Sequence, residues 1–222
     1  MAHHSVFMGS SEFSVTILEH LAAHYEVSGV ITQPDKPAGR GKQLTPPPVK
    51  VAAQKMGLTV LQPEKLKAPD VLAQLESWNP DFIVVAAYGK ILRQNLLDLP
   101  LHGCINVHAS YLPRWRGASP IQAAILNGDK TTGVTIMVMD AGVDTGPILT
   151  REQVAISPDH DSLTLSEKLA KVGGPLLLST LSAYLGGMIA PVPQPEEGAA
   201  YASMIRKEDG LIDFNLPAIT LE

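Results

Sequence analysis

Asn106 and His108 stand two residues apart in Cys104-Ile-Asn-Val-His108, with β-branched Ile105 and Val107 interleaved. This alternation predicts a short strand, with the amide and the imidazole side by side on one face and the apolar pair on the other. Sheet packing alone does not select an amide and an imidazole for the end of a strand. Together they suit attack of an amine on an activated acyl group. An amide N–H donates to the carbonyl oxygen as charge develops there, worth roughly 2.7–4 kcal/mol in other acyl-transfer sites. An imidazole takes the amine's proton or steadies the oxyanion, according to its charge state. A carboxylate near the ring would orient it, and Asp140-Ala-Gly-Val-Asp-Thr-Gly146 offers two, Asp140 and Asp144. Ser110 lies close by, but no G-x-S-x-G elbow surrounds it, so direct transfer without a covalent intermediate is expected. The competing reading makes Asn106 and His108 a satisfied buried polar pair and Asp144 a turn former.

The elements that must position these residues follow from the hydrophobic pattern. Strands are expected at 6–8, 27–32, 59–61, 82–87, 133–139 and 148–156, besides the one at 104–108. Helices are expected after a Ser10 or Ser11 cap and at 49–56, 68–77, 90–99 and 118–127. Residues 162–186 read as one helix, or as two if Gly173-Gly174-Pro175 interrupts it. The alternation predicts an α/β fold, Rossmann-like, with a mostly parallel sheet and helices on both faces. Sites in such sheets gather at the C-terminal ends of strands. Asn106 and His108 sit at one such end, and Asp140 and Asp144 follow another. The first turn, Gly9-Ser-Ser-Glu-Phe-Ser14, lacks the second and third glycines of a dinucleotide fingerprint and reads as an ordinary βα turn.

Composition narrows the classes further. The 222 residues carry a net charge of −5, which gives no global footprint for a polyanion. One stretch differs. Residues 33–50 hold Lys36, Arg40, Lys42 and Lys50 against Asp35, with prolines and glycines that argue against regular structure through most of it. A flexible basic loop of this kind suits contact with phosphates. The single cysteine, Cys104, excludes an internal disulfide and reads as a small core side chain. No Cys/His spacing points to a metal. No apolar run approaches the ~18 residues that span a bilayer. No membrane role and a cytoplasmic setting are therefore expected.

Four motifs add a resemblance. Asn106-x-His108, Ser110-Tyr-Leu-Pro-Arg-Trp-Arg-Gly-Ala-Ser-Pro-Ile-Gln122, Gly133-Val-Thr-Ile-Met137 and Asp140-x-Gly-x-Asp-Thr-Gly146 resemble the signature of the folate-dependent formyltransferases. The loop Thr32-Gln-Pro-Asp-Lys-Pro-Ala-Gly-Arg-Gly-Lys42 narrows this to members acting on methionyl initiator tRNA. The resemblance runs from Phe7 to Asp213. It implies a catalytic trio of Asn106, His108 and Asp144 and a 10-formyltetrahydrofolate donor without a metal. It implies folate contacts from Ser110, Tyr111, Leu112 and Pro113, from Tyr88, Gly89, Ile91 and Leu92, and from Ala141, Gly142 and Val143. It assigns Lys36, Arg40 and Lys42, with Arg114 and Arg116, to tRNA. A monomer is expected, with residues 1–190 as the catalytic domain and 191–222 as a tail opening a linker to a C-terminal barrel absent from this chain. Two departures stand out: Tyr111 replaces a common leucine, and Ser10-Ser11 replaces Thr-Pro. A formyltransferase with a small acceptor, a donor hydrolase and a non-catalytic binding module are the rival readings.

Overall fold

The computed structural model describes residues 3–39 and 41–218. The strands are β1 (His4–Gly9), β2 (Glu26–Ile31), β3 (Lys36–Ala38), β4 (Gln43–Thr45), β5 (Val60–Leu61) and β6 (Phe82–Ala86). After them come β7 (Cys104–His108), β8 (Arg116–Gly117), β9 (Thr131–Val138), β10 (Ile148–Ala155) and β11 (Tyr201–Ala202). The helices are α1 (Glu12–His24), α2 (Pro48–Lys55), α3 (Pro69–Trp78), α4 (Gln94–Leu97), α5 (Pro120–Leu126) and α6 (Ser162–Leu185).

Seven strands make the main sheet, in the order β10-β9-β7-β6-β1-β2-β5. From β5 through β7 neighbouring strands run parallel. β9 then runs antiparallel to β7, and β10 antiparallel to β9. Each face is covered. Ile105 and Val107 join Phe7, Val84, Val134 and Ile136 in one apolar cluster with Ile17, Leu18 and Leu21 of α1 and Leu165, Leu169 and Leu177 of α6. On the other face, Val6, Met8, Ile83, Val85 and Cys104 pack with Val71 and Leu75 of α3 and Leu96 and Leu97 of α4. The mostly parallel α/β sheet with helices on both faces is therefore as expected.

Local chemistry explains most boundaries. Ser11 caps α1, its Oγ accepting from Ser14 N at 3.4 Å while Ser14 Oγ accepts from Ser11 N at 3.3 Å. Ser10 instead ties the ends of β1 and β2 together, accepting from Gln33 N at 3.1 Å. Two expectations are corrected, and one open alternative is settled. The basic loop contains a β3–β4 hairpin, turned by Gly39 and Lys42, whose φ values of +69° and +47° are left-handed. The helix expected at 90–99 shrinks to Gln94–Leu97: Lys90 reaches across to the carbonyls of Pro63 and Glu64, and 90–93 stay outside the helix. α6 passes unbroken through Pro175. Its glycines serve close approach: a Cβ on Gly173 would lie 3.2 Å from Ile17 and 3.3 Å from Val107, and one on Gly174 would meet the His20 ring at 2.5 Å.

The chain beyond residue 190 returns to the body of the sheet. Val192 bridges Ile148, and β11 lies parallel to β8.

Candidate active site

β7 delivers Asn106 and His108 as its alternation requires, both buried, on the face opposite Ile105 and Val107. Asp144 completes the group. Asn106 Nδ2 donates to Asp144 Oδ1 at 3.2 Å, and His108 Nδ1 lies 3.6 Å from the same oxygen. The route by which Asp144 arrives differs from the expected one. Because β9 is antiparallel, its C-terminal end, Val138, pairs with Ile105 rather than with His108. The following loop must therefore turn back to bring Asp144 to Asn106 and His108. Asp140, the other expected acid, stays outside the group: its carboxylate accepts from Gly142 N at 3.0 Å and Thr145 Oγ1 at 2.8 Å, closing the loop on itself.

The remaining bonds set the orientation of each group. Asp144 adopts φ +53° and its Oδ2 accepts from Gly117 N at 2.8 Å. His108 Nε2 lies 2.9 Å from Trp115 O. A carbonyl oxygen only accepts, so Nε2 carries the proton, and Nδ1, facing Asp144, is left to gain or lose one. Asn106 keeps a second N–H beyond the one directed at Asp144. The site thus has an amide donor for an oxyanion, an imidazole nitrogen for a proton, and a carboxylate that touches both.

The turn that supplies Trp115 O is pinned from outside. Arg114 Nε and Nη2 donate to Asp129 at 2.9 and 2.8 Å, and Trp115 Nε1 donates to the same carboxylate at 2.7 Å. The Arg114 guanidinium also stacks 4.3 Å above the Trp115 ring. Bonds from Arg114, then from Trp115, hold the Asp129 carboxyl below the usual carboxylate range, although burial opposes them.

The residues expected to contact folate divide into two sets. Ser110, Leu112, Pro113, Tyr88 and Leu92 are buried. Ser110 Oγ donates to Arg114 O at 2.7 Å, and Leu112 N donates to Thr135 Oγ1 at 3.1 Å, so both hold the turn together. Tyr111 lies against Gly133 with Arg151 stacked on its ring at 4.4 Å. Gly89, Ile91, Ala141, Gly142 and Val143 are exposed and open to a ligand. Beside Ile91 is a hollow of about 200 Å³ lined by Leu66, Leu72 and Leu96 and by the cations Lys65, Lys67, Lys90 and Arg93. The sequence reading missed this rim, although Lys65 and Lys67 lie close together in the chain.

Of the residues assigned to tRNA, Lys36 and Lys42 are exposed on the hairpin, and Arg40 lies outside the described residues. Arg114 is held by Asp129. The role given to Arg116 needs correction. Its side chain is 2% exposed and faces inward, with Nε donating to Gln194 Oε1 at 3.0 Å and Nη1 to Tyr201 Oη at 3.4 Å. Cys104 is a core thiol pushed up to about 12, chiefly by burial. Among the described residues, no group of three or more His, Cys, Asp or Glu is placed to hold a metal. No helix among them is long and apolar enough to cross a membrane.

Comparison with known proteins bears on the same site. The formyl transferase family profile matches residues 4–181. A methionyl-tRNA formyltransferase of Myxococcus xanthus is 52% identical over 217 residues, spanning 98% of this chain and 70% of its own length. The chain belongs to the methionyl-tRNA formyltransferases of that family. Among solved structures, the phosphoribosylglycinamide formyltransferase of Bacillus halodurans aligns with a TM-score of 0.66 at 29% identity, covering 82% of this chain and 95% of its own. An N-formyltransferase of Helicobacter canadensis shares the fold, with a TM-score of 0.68 at 18% identity, covering 100% of this chain and 78% of its own.

Proposed function

We propose that this formyltransferase moves a formyl group from 10-formyltetrahydrofolate to the α-amine of methionine esterified to initiator tRNA. The observation that carries the reading is the meeting of Asn106, His108 and Asp144 in a chain about half identical to methionyl-tRNA formyltransferases. The amine attacks the formyl carbon directly, giving a tetrahedral intermediate. Asn106 uses its second N–H to hold the developing oxyanion. His108 Nδ1 takes the amine's proton, and Asp144 steadies the ring that receives it. As the intermediate collapses, the bond from the formyl carbon to N10 of the donor breaks, His108 passes the proton to N10, and tetrahydrofolate leaves with the formamide formed.

A formyl group has no bulk to recognise, so the site must position donor and amine rather than read a side chain. The exposed Ile91 and Val143 and the basic hollow beside Ile91 suit a folate, whose rings offer faces for apolar contact and whose glutamyl end is anionic. The exposed Lys36 and Lys42 of the hairpin favour an RNA acceptor over a small one.

His108→Ala tests the assignment. Its single-turnover rate of formyl transfer to methionyl-tRNA should fall by roughly 10²–10⁴-fold while donor affinity stays unchanged. Near-normal turnover in this variant would sink the reading.

A further inference from the structure

Asp144 depends on a residue that lies far along the chain. Its backbone is in the left-handed region, at φ +53°, and from there its oxygens reach Asn106, His108 and Gly117. The loop that carries it leaves and rejoins the sheet at one point, since Val138 N donates to Pro147 O at 2.9 Å. Nothing within the loop bonds the Asp144 carbonyl. Gln194 does so, donating from Nε2 to Asp144 O and Gly146 O, each at 2.8 Å. One amide group therefore links the two carbonyls on either side of Thr145.

Gln194 is itself fixed. Its Oε1 accepts from Arg116 Nε at 3.0 Å, and it lies between Pro193 and Pro195, whose rings restrict the local backbone. Arg116 in turn belongs to β8, which β11 pairs at Arg116–Tyr201 and Gly117–Ala202. Gly117 is the residue whose N–H holds Asp144 Oδ2, and its φ of +107° leaves no room for a side chain: a Cβ would sit 2.5 Å from Ala202 O. The segment 192–202 thus grips Asp144 twice, through Gln194 at its backbone and through β8 at its carboxylate.

We propose that Gln194 is a positioning residue for formyl transfer, acting through Asp144. The inference rests on the reading of Asn106, His108 and Asp144 as the catalytic trio. It makes the segment after residue 190 a working part of the site. Gln194 need not touch substrate; it sets where the Asp144 carboxylate stands, and displacements of about 1 Å at such a group cost on the order of 10²-fold in rate.

The test compares Gln194→Met in the full chain with the parent, and repeats the comparison in an Asp144→Asn background. Gln194→Met keeps the side-chain length and removes both amide functions. The expected single-turnover rate falls by roughly 10–100-fold, with KM for donor and for methionyl-tRNA within about twofold of the parent. In the Asp144→Asn background the same change should cost less than about twofold, because the residue it positions is already disabled. If Gln194→Met does not fold, Gln194→Glu takes its place. That change keeps an acceptor for Arg116 and loses the donor to Asp144 O, and the same rate loss is expected. A parent-like rate, or an equal loss in both backgrounds, overturns the proposal. A normal rate in Asp144→Asn alone overturns the trio, and this inference with it. An inactive Asp144→Asn beside a parent-like Gln194→Met removes the inference and leaves the trio standing.

Discussion

Tyr88 Oη is buried with no hydrogen-bond partner among the described residues, and burial pushes the phenol up to about 12. The polar groups of the site contrast with it. Asn106, His108 and Asp144 each make at least one hydrogen bond within the site. An unpaired buried hydroxyl carries a desolvation penalty of about 1–3 kcal/mol. Tyr88→Phe should therefore leave unfolding free energy unchanged or raise it by about 1–2 kcal/mol. It should also leave KM for the folate donor unchanged, since the ring packs with Leu92 and Leu96 in the core. Urea unfolding and donor titration check both. A loss of stability together with a raised donor KM would mean that the hydroxyl serves the ligand.

At the scale of elements, the turn between β7 and β8 matters most, because it places Trp115 O against His108. Asp129, just beyond α5, pins that turn through Arg114 and Trp115. Its pKa is lowered in the fold, so between that value and the unfolded value of about 3.9 the unfolded chain binds more protons. Stability from this carboxylate is complete above pH ~4 and is lost as pH falls through the folded value. Asp129→Asn should cost about 1.5–3 kcal/mol at neutral pH, the range for hydrogen bonds to a charged group. The gap from the parent should close as pH drops below about 4, and thermal melts across pH 2–7 would show it. A gap independent of pH would assign the loss to packing. Much of this neighbourhood was legible in the sequence because its cues are local: alternation gave β7, and Pro120 in the first turn gave α5. What was not legible depended on distant pairing. The antiparallel direction of β9 is known only from its pairing with β7, and the hairpin at 36–45 rests on two left-handed turn residues, one of them a lysine. Gln194 was invisible for the same reason: an amide between two prolines reads as extended chain until its partners are 48 to 78 residues away.

Across the whole molecule, two helical layers hold the sheet, yet neither encloses the site. The segment 192–202 closes it. Ala200 O accepts from Arg116 N at 2.8 Å, Ala202 O accepts from Ala118 N at 2.9 Å, and Ala202 packs with Trp115 and Ala124. Arg116 is the weak point of this arrangement. A buried guanidinium stripped of its acceptors is costly, and those acceptors, Gln194 and Tyr201, all lie beyond residue 190, as does the carboxylate of Glu196 at 3.6 Å. We therefore propose that the working catalytic unit ends near residue 202 rather than 190. Two truncations decide it. A chain ending at Arg206 keeps every contact just named, whereas one ending at Ala190 loses them all. Each lost backbone bond is worth about 1 kcal/mol, so the shorter chain should melt several degrees lower. Its formyl-transfer rate should fall by at least roughly 10-fold relative to the longer chain, since Asp144 then has no hold on its carbonyl. Equal melting temperatures and equal rates would make residues 191–206 a passive strap, and the catalytic unit would end with α6.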